Sequence, residues 1–583
     1  MERRVLFAIF LSFLVLYVYQ ALVVKPVPKR PVSAQTPPTP GPVPAAAEPR
    51  PASSLPAPEA VSPQRQRPGG AIPVVSDAAE RDISVETRDI FAVFTNRGGR
   101  LKSWRLKHYK NPKGEPQELI ESGLSVASPA GTVEQQPLPF SLKTPDGALT
   151  ATLNESLYAV TQSTASPPDL RFEYRDSGGL HVTKRFHLDP VSYVVTFQTA
   201  VMQEDLPVPA TILWGPAVAD TTEVSRYAQQ PGGLLFQNGK VQRLSPKDIA
   251  KQPAHEGDFT FAGVDDNYFM TVALSVTGAR IAFQPVAIPP PASSKETPRE
   301  LVAYSIEPRS TDEPMRFFVG PKDFAVLSAV HHDLPNAINF GMFKVNVVPL
   351  LQSLKWVNSF VGNYGWSIVV LTILINAIMF PLRHKSTVSM RKMQELQPQV
   401  KAIQDRYAKL KATDPAKQKM NQELMALYKE RGVNPASGCV PMLLTMPVLL
   451  AMWALLQTSI ELRGAPWFGW IHDLSKHDPY YVLAVLMGAT GFWQQRMMPA
   501  SGADPAQQKM MMFMPLMMTV MLAWLPAGAL IYYVVTNIWM IGQQYLTNYL
   551  IGPPNIRTVR PPAERRLKRA GAGRTDAAAR DAE

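Results

Sequence analysis

Hydrophobic positions change their spacing along this chain, and each change marks a different kind of structure. Residues 5–24 are a 20-residue apolar run interrupted by Ser12, Gln20 and two tyrosines and preceded by Arg3 and Arg4. That is long enough to cross a hydrocarbon layer of roughly 30 Å. A cleaved signal peptide would have a shorter apolar stretch ending in small residues, whereas Val23-Val24-Lys25-Pro26 follows here. Residues 1–25 therefore predict an uncleaved membrane anchor. Residues 26–73 hold fifteen prolines among Ala, Ser, Val and Gln. Such a stretch buries too little apolar surface to order itself and predicts an extended, semi-stiff tether.

From about residue 74 the period falls to two. Ile83, Val85 and Thr87 alternate with polar residues, and Ile90–Thr95 runs into the turn Asn96-Arg97-Gly98-Gly99. Similar runs recur at Leu170–Tyr174, Leu180–Leu188, Tyr193–Ala200, Phe259–Val276 and Arg280–Pro285. Short alternating strands without helical spacing predict a large antiparallel β-sandwich over residues 74–325.

The spacing lengthens again over residues 345–362. Val347, Leu350, Leu351, Leu354, Val357, Phe360 and Val361 share one helical face, while Gln352, Ser353, Lys355 and Asn358 lie elsewhere. This predicts an amphipathic helix lying on the membrane surface. Five apolar runs follow as candidate spans, at about 366–382, 440–458, 479–495, 510–525 and 529–546. Several are near the lower limit of about 17 residues. The predicted fold is thus a polytopic α-helical membrane bundle of six spans, its five-helix core at residues 363–550, joined to an all-β domain.

A net charge of +12 on 583 residues would suit nucleic acid, but the positions of the charges follow a membrane instead. The loop 383–431 carries twelve Lys and Arg, and the tail 551–583 carries eight after Pro554. The loop 461–478 has two basic residues against three acidic ones. Positive residues stay on the cytoplasmic side. Both termini, the loop 383–431 and the short Arg496–Lys509 loop are therefore expected in the cytoplasm, with the β domain and 461–478 outside. Sequence-specific nucleic acid drops out as a partner. The basic tail keeps the capacity to touch anionic lipid or a ribosome. With Cys439 the one cysteine, an intramolecular disulfide is impossible.

Thr372 and Asn376 are four apart and share a face of the first core span, with Ser367 nearer its outer end. An amide near mid-membrane is costly unless it faces protein or water. Thr445, Gln457, Thr519, Tyr532, Tyr533, Thr536 and Asn537 add polar groups on the other spans. Helix–helix hydrogen bonding accounts for any one of them. Their accumulation on short helices predicts a wet cavity. In the loop 383–431, Met393, Leu396, Val400, Ile403, Tyr407 and Leu410 repeat in steps of three and four. After the helix start Thr413-Asp414-Pro415, Met420, Leu424, Leu427 and Arg431 continue the pattern. An antiparallel helical hairpin follows, placed to gate the cavity or receive a partner. The methionines of span 510–525 suit a surface that accepts varied apolar sequences, and equally suit ordinary packing. No HExxH, GxSxG or glycine-rich phosphate loop is present, and the histidines are scattered. No catalytic set, metal site or cofactor is expected.

Several stretches resemble the YidC/Oxa/Alb family of membrane protein insertases, in the long bacterial form with a periplasmic domain. They are Asn363-Tyr364-Gly365-Trp366-Ser367 to Met379-Phe380-Pro381-Leu382, Glu423-Leu424-Met425-Ala426-Leu427-Tyr428-Lys429 to Asn434-Pro435, Gly438-Cys439-Val440-Pro441, Met446-Pro447, Trp470-Ile471-His472-Asp473-Leu474 to Asp478-Pro479-Tyr480-Tyr481, and Phe513-Met514-Pro515 to Tyr532-Tyr533. Weaker matches are Gly263-Val264-Asp265-Asp266-Asn267-Tyr268-Phe269 and Gly320-Pro321-Lys322. The resemblance implies an insertase and chaperone of the inner membrane that moves nascent membrane proteins into the bilayer, alone or with the Sec translocon. It also implies a hydrophilic groove open to cytoplasm and lipid and closed toward the periplasm, and a β-supersandwich periplasmic domain.

One departure stands out. The family's groove usually carries an arginine where this chain has Asn376, and a glutamine common in the next helix is replaced by Thr445, while Thr372, Tyr532 and Tyr533 match. With no ionisable residue among Thr372, Asn376 and Thr445, the groove is expected to work by hydration and hydrogen bonding. A solute transporter would instead show internal repeats and an ionisable midplane site. A membrane-anchored carbohydrate-binding or carbohydrate-active protein would need paired carboxylates in the β domain.

Overall fold

The computed structural model describes residues 72–121, 123, 125–127, 133–163, 168–217, 229–288, 299–310, 313–407, 416–432, 440–497 and 505–551. The expected anchor 1–25, nearly all of the tether, the tail beyond 551, Leu410, Thr413-Asp414-Pro415 and Cys439 lie outside these residues.

The β domain follows from the period-two pattern. Along Asp82–Glu86 alternate residues are buried and exposed, and Leu180–Leu188 repeats the alternation; each strand thus offers one face to a core. Fourteen strands join in one sheet whose path runs through Asp169–Asp176, Leu180–Leu188, Val194–Gln203, Met315–Pro321, Phe269–Ile288 and Ala254–Asp265. A second sheet has four, Asp82–Glu86, Ile90–Thr95, Arg100–Lys110 and Pro116–Glu118. Pairing along both is antiparallel. Phe269–Leu274 is buried without alternation, because this strand is central and covered on both faces. Aromatic rings fill the space between the sheets, Phe94 lying 4.9 Å from Phe186 and Phe140 5.1 Å from Phe317. Burying each such ring contributes about 2–3 kcal/mol. Trp104 of the small sheet donates its indole N–H to Val319 O of the large one at 2.9 Å. The sandwich also holds two short helices that strand periodicity does not reveal, Gly147–Glu155 and Pro246–Lys251. The cause is capping: Asp146 accepts from Ala148 N and Leu149 N, and Ser245 with Asp248 forms a capping box.

The helix Lys344–Val361 buries Val347, Leu351, Leu354 and Val357 against the helical core and leaves Phe360 and Val361 outside. A second apolar face, with Val345, Trp356 and Phe360, is exposed. The single membrane-facing stripe of the sequence reading is therefore corrected: the stripe packs on protein, and the aromatic face is the free one. Gly362, at φ 71°, ends the helix in the left-handed conformation, and Asn363 caps the next by accepting from Trp366 N.

Five helices of 16 residues or more follow: Tyr364–Glu395, Val440–Thr458, Val482–Met497, Pro505–Leu522 and Ala527–Ile551. The first runs 32 residues, roughly 48 Å at 1.5 Å per residue, and so overshoots the expected end at 382 by more than three turns. The third begins late because Asp478, fully buried, is spent as a cap, accepting from Leu483 N at 2.7 Å.

Lys355 joins three parts of the chain. Its ammonium lies 2.7 Å from Glu461, in the loop after Val440–Thr458, and 3.2 Å from Asp323 at the end of the β domain. Burial raises the Glu461 carboxyl above the ordinary glutamate value, and Asp323 adds to the rise, although Lys355 opposes it. The folded chain therefore binds this proton more tightly than the unfolded chain. The resulting stability is fully present below the ordinary glutamate value and is lost as pH rises through the raised one. Glu461→Gln, which keeps the shape without the charge, is expected to unfold at a higher temperature than the parent near neutral pH. The gap should close on acidification into the ordinary carboxylate range; a pH-independent gap in thermal unfolding contradicts the assignment.

Candidate functional site

The polar residues expected to cluster do so around one cavity of about 220 Å³, room for roughly seven waters at about 30 Å³ each. Helix Tyr364–Glu395 lines it with Ile375, Asn376, Met379 and Arg383, and Val440–Thr458 contributes Thr445, Val448 and Leu449. Ala527–Ile551 adds Tyr532, Tyr533, Thr536, Asn537 and Met540, and Val482–Met497 adds Gln494. Asn376, Thr445, Tyr532 and Tyr533 thus share one wall-to-wall space, with the two tyrosine rings edge-to-face at 5.6 Å.

Thr372 does not join them. Its hydroxyl donates to Ile368 O at 2.6 Å within its own helix, and its carbonyl accepts from Asn376 Nδ2 at 2.8 Å. The threonine instead fixes the Asn376 amide, leaving Oδ1 free to face the cavity.

That oxygen accepts from Arg383 Nη1 at 2.6 Å. Arg383 stands seven residues along the same helix, roughly 10 Å nearer its C-terminal end, and its side chain reaches back to the amide. The expectation of an uncharged cavity is corrected here. The sequence places Arg383 among the basic residues of the loop, whereas the extra helical turns carry it into the wall. Among the described residues, no carboxylate faces its guanidinium.

Among the described residues, the methionine-rich helix Pro505–Leu522 adds none to the lining. It packs on Val482–Met497, where Gly488 and Gly491 admit Thr519 and Pro515 at close range. Met510, Met517, Val520 and Met521 are exposed.

Beyond Arg383 the long helix continues into the hairpin. Periodicity reads Met393–Leu410 as one helix, but the chain breaks at Leu396 and restarts as Gln397–Arg406 with Pro398 in its first turn, since a proline has no N–H for the carbonyl four residues back and its ring clashes with that carbonyl. The second arm is Ala416–Glu430. Leu396 and Val400 are buried between the arms with Met393, Leu424, Leu427 and Tyr428 around them. Ile403 is also buried, and Tyr407 donates its hydroxyl to Glu423 at 2.8 Å.

The opposite end of the cavity is plugged. Ile460, Leu462, Ile471 and Leu474 of the loop after Val440–Thr458 are all buried. The loop is stitched beneath the start of Ala527–Ile551, with Gly528 N donating to Leu474 O at 3.0 Å and Ala527 N to Lys476 O at 2.7 Å. Asn363 Nδ2 donates to Pro466 O at 3.1 Å. Sequence reasoning passed over this plug, whose residues show no regular period.

Residues 356–552 match the family model described as 60Kd inner membrane protein, and residues 82–352 match the YidC periplasmic domain. A membrane protein insertase YidC of Syntrophus aciditrophicus is 32% identical over 571 residues, covering 94% of this chain and 99% of that protein. Those of Pelobacter propionicus and Geobacter sulfurreducens are 32% and 34% identical, each over 94% of this chain and covering 100% and 98% of their own. The crystal structure of an active YidC insertase with its first transmembrane domain resolved aligns over 82% of this chain and 95% of its own, at 18% identity and TM-score 0.33.

Proposed function

The chain belongs to the YidC family of membrane protein insertases, and we propose that the cavity beside Arg383 is where a nascent segment passes from water toward lipid. The protein is an inner-membrane insertase with a periplasmic β-sandwich domain, and it acts on nascent membrane proteins. In this reading six helices cross the membrane with both termini in the cytoplasm, a topology the basic loops support. Asn376, Thr445, Tyr532 and Tyr533 hold water in the cavity, which shortens the hydrocarbon path of a polar segment. The substrate's apolar segment then moves into lipid alongside the exposed methionines of Pro505–Leu522, whose flexible side chains suit varied sequences. The hairpin at Met393, Val400, Ile403, Tyr407, Leu424 and Leu427 guards the cytoplasmic mouth. The basic tail and loops approach the ribosome and anionic lipid, and the insertase works alone or with the Sec translocon.

The observation that carries this reading is a guanidinium held on an amide inside a helical bundle, next to a polar-lined cavity. A charge in such a place is expensive unless water or a partner charge visits it. A photo-crosslinking side chain in place of Tyr533 is expected to capture a ribosome-bound single-span substrate, and one in place of the exposed Val191 of the β domain is not. Equal capture at the two positions rejects the cavity as the path.

A further inference from the structure

The plug at the outer end of the cavity is not held by the helical bundle alone. Arg463, in the plug loop, extends away from the bundle into the β domain. Its guanidinium donates to Lys110 O and to Gln117 Oε1, both at 2.8 Å, and lies 5.0 Å from the centre of the Phe269 ring. Planar geometry lets one arginine make two hydrogen bonds and stack on a ring at once, which lysine cannot reproduce. Two residues of the small sheet and one of the large sheet thus meet on a single side chain.

The surface that receives it is stiff. Asp266 Oδ1 accepts from Tyr268 N and Phe269 N, both at 2.7 Å, and Lys322 pairs with Asp265 at 2.8 Å while fully buried. This turn also sends Asn267 Nδ2 to Gln457 O at 3.0 Å, at the last turn of Val440–Thr458. Lys355 closes the contact from the other side, bridging Asp323 of the β domain to Glu461 of the plug. The groups around this bridge are Lys355, Asp323 and Glu461, with Tyr109 and Tyr364 nearby.

We propose that the β domain braces the outer seal of the insertion cavity, with Arg463 and Lys355 as the positioning residues that hold the plug loop closed while a substrate enters from the opposite side. The role follows from placement. Thr445 in the cavity and Gln457 under the brace stand on the same helix, roughly 18 Å apart, so the helix that lines the cavity also carries a contact to the β domain. A plug tied to the bundle by backbone hydrogen bonds and apolar packing alone has no charged anchor. The brace supplies two, both reaching a body outside the membrane. The inference rests on the cavity being the insertion path, and the test separates the two.

The experiment uses the full chain with Cys439→Ser and a reporter Tyr532→Cys, expressed in spheroplasts and treated from outside with a membrane-impermeant maleimide. The parent is expected to label slowly. Arg463→Ala and Lys355→Met should raise the labelling rate about tenfold, the scale of losing one coupling contact. Gln117→Ala, which lies in the β domain outside the cavity and meets the plug loop through Arg463, should raise it in the same direction, while Lys355→Arg restores the closed state. Thermal unfolding of each variant in detergent is measured alongside. Unchanged labelling in all the loss variants overturns the brace, and so does increased labelling only where the whole protein has lost stability. Failure of the insertion path itself shows separately, as absence of substrate capture at position 533 with the labelling response intact.

Discussion

Arg383→Leu is expected to reduce insertion of single-span substrates that carry an acidic residue in the translocated segment by at least about tenfold, with neutral substrates changed far less. The guanidinium is half-buried, and the partner seen for it is the Asn376 amide at 2.6 Å. An arriving carboxylate competes for a cation that faces no acid among the described residues. Two charges at 4 Å interact by about 4 kcal/mol at an effective dielectric near 20. Even a third of this, after water in the cavity screens the pair, is the ~1.4 kcal/mol that makes a tenfold effect. Arg383→Lys should recover only part of it, because a lysine brings a point charge without the planar fork that holds a carboxylate bidentately. Asn376→Leu removes the dock but not the charge, so its effect should be smaller and should fall on acidic and neutral substrates alike. Moving the cation, as Asn376→Arg with Arg383→Thr, should restore the acidic preference. The measurement is protease-protected product from paired substrates differing by one Asp in depleted cells. Full insertion of the acidic substrate by Arg383→Leu removes Arg383 from the mechanism.

Arg383 marks the limit of what a single sequence conveys. Residues whose meaning lies in a local period were legible: Leu180–Leu188 alternates, and Val440–Thr458 is a largely apolar run with the same ends in sequence and structure. The cluster of Asn376, Thr445, Tyr532 and Tyr533 was legible too, since polar residues on short apolar helices have few places to go. Arg383 was not, because where a helix stops on a topological argument depends on hydropathy, which falls at Pro381-Leu382-Arg383, while the backbone continues. Pro381 is accommodated inside the helix. Still less visible were contacts that exist only once distant parts are packed. Arg463 meets Lys110 across 353 positions and Asn267 meets Gln457 across 190. Neither residue has a local signature, and Lys355, read as the polar side of a surface helix, becomes an anchor only when two carboxylates arrive from either flank.

Gly365→Leu should cost the protein both stability and its outer seal, and Gly365→Ala should show the same effect in smaller measure. A Cβ at this position would lie 2.2 Å from Cδ1, 2.3 Å from Cγ and 2.7 Å from Cβ of Trp467. Because the tryptophan's own Cβ is among the overlapping atoms, turning its ring gives no relief. The plug loop would have to lift, and it is pinned there by Trp467 N donating to Ile471 O at 3.0 Å and by Asn363 donating to Trp467 O at 3.3 Å. Overpacking of this kind costs about 1–3 kcal/mol. Two terms oppose each other in the alanine variant, since replacing a helical glycine by alanine otherwise gains about 0.5–1 kcal/mol. The steric term wins if Trp467 is where the structure puts it. Gly542 supplies the control: it lies inside helix Ala527–Ile551 and a Cβ there meets nothing within 4 Å, so Gly542→Ala should stabilise the chain. Thermal unfolding of the two alanine variants should therefore move in opposite directions from the parent. A shift to higher temperature in both would mean that the Trp467 ring does not lie over Gly365 and that the plug is looser than its buried residues imply.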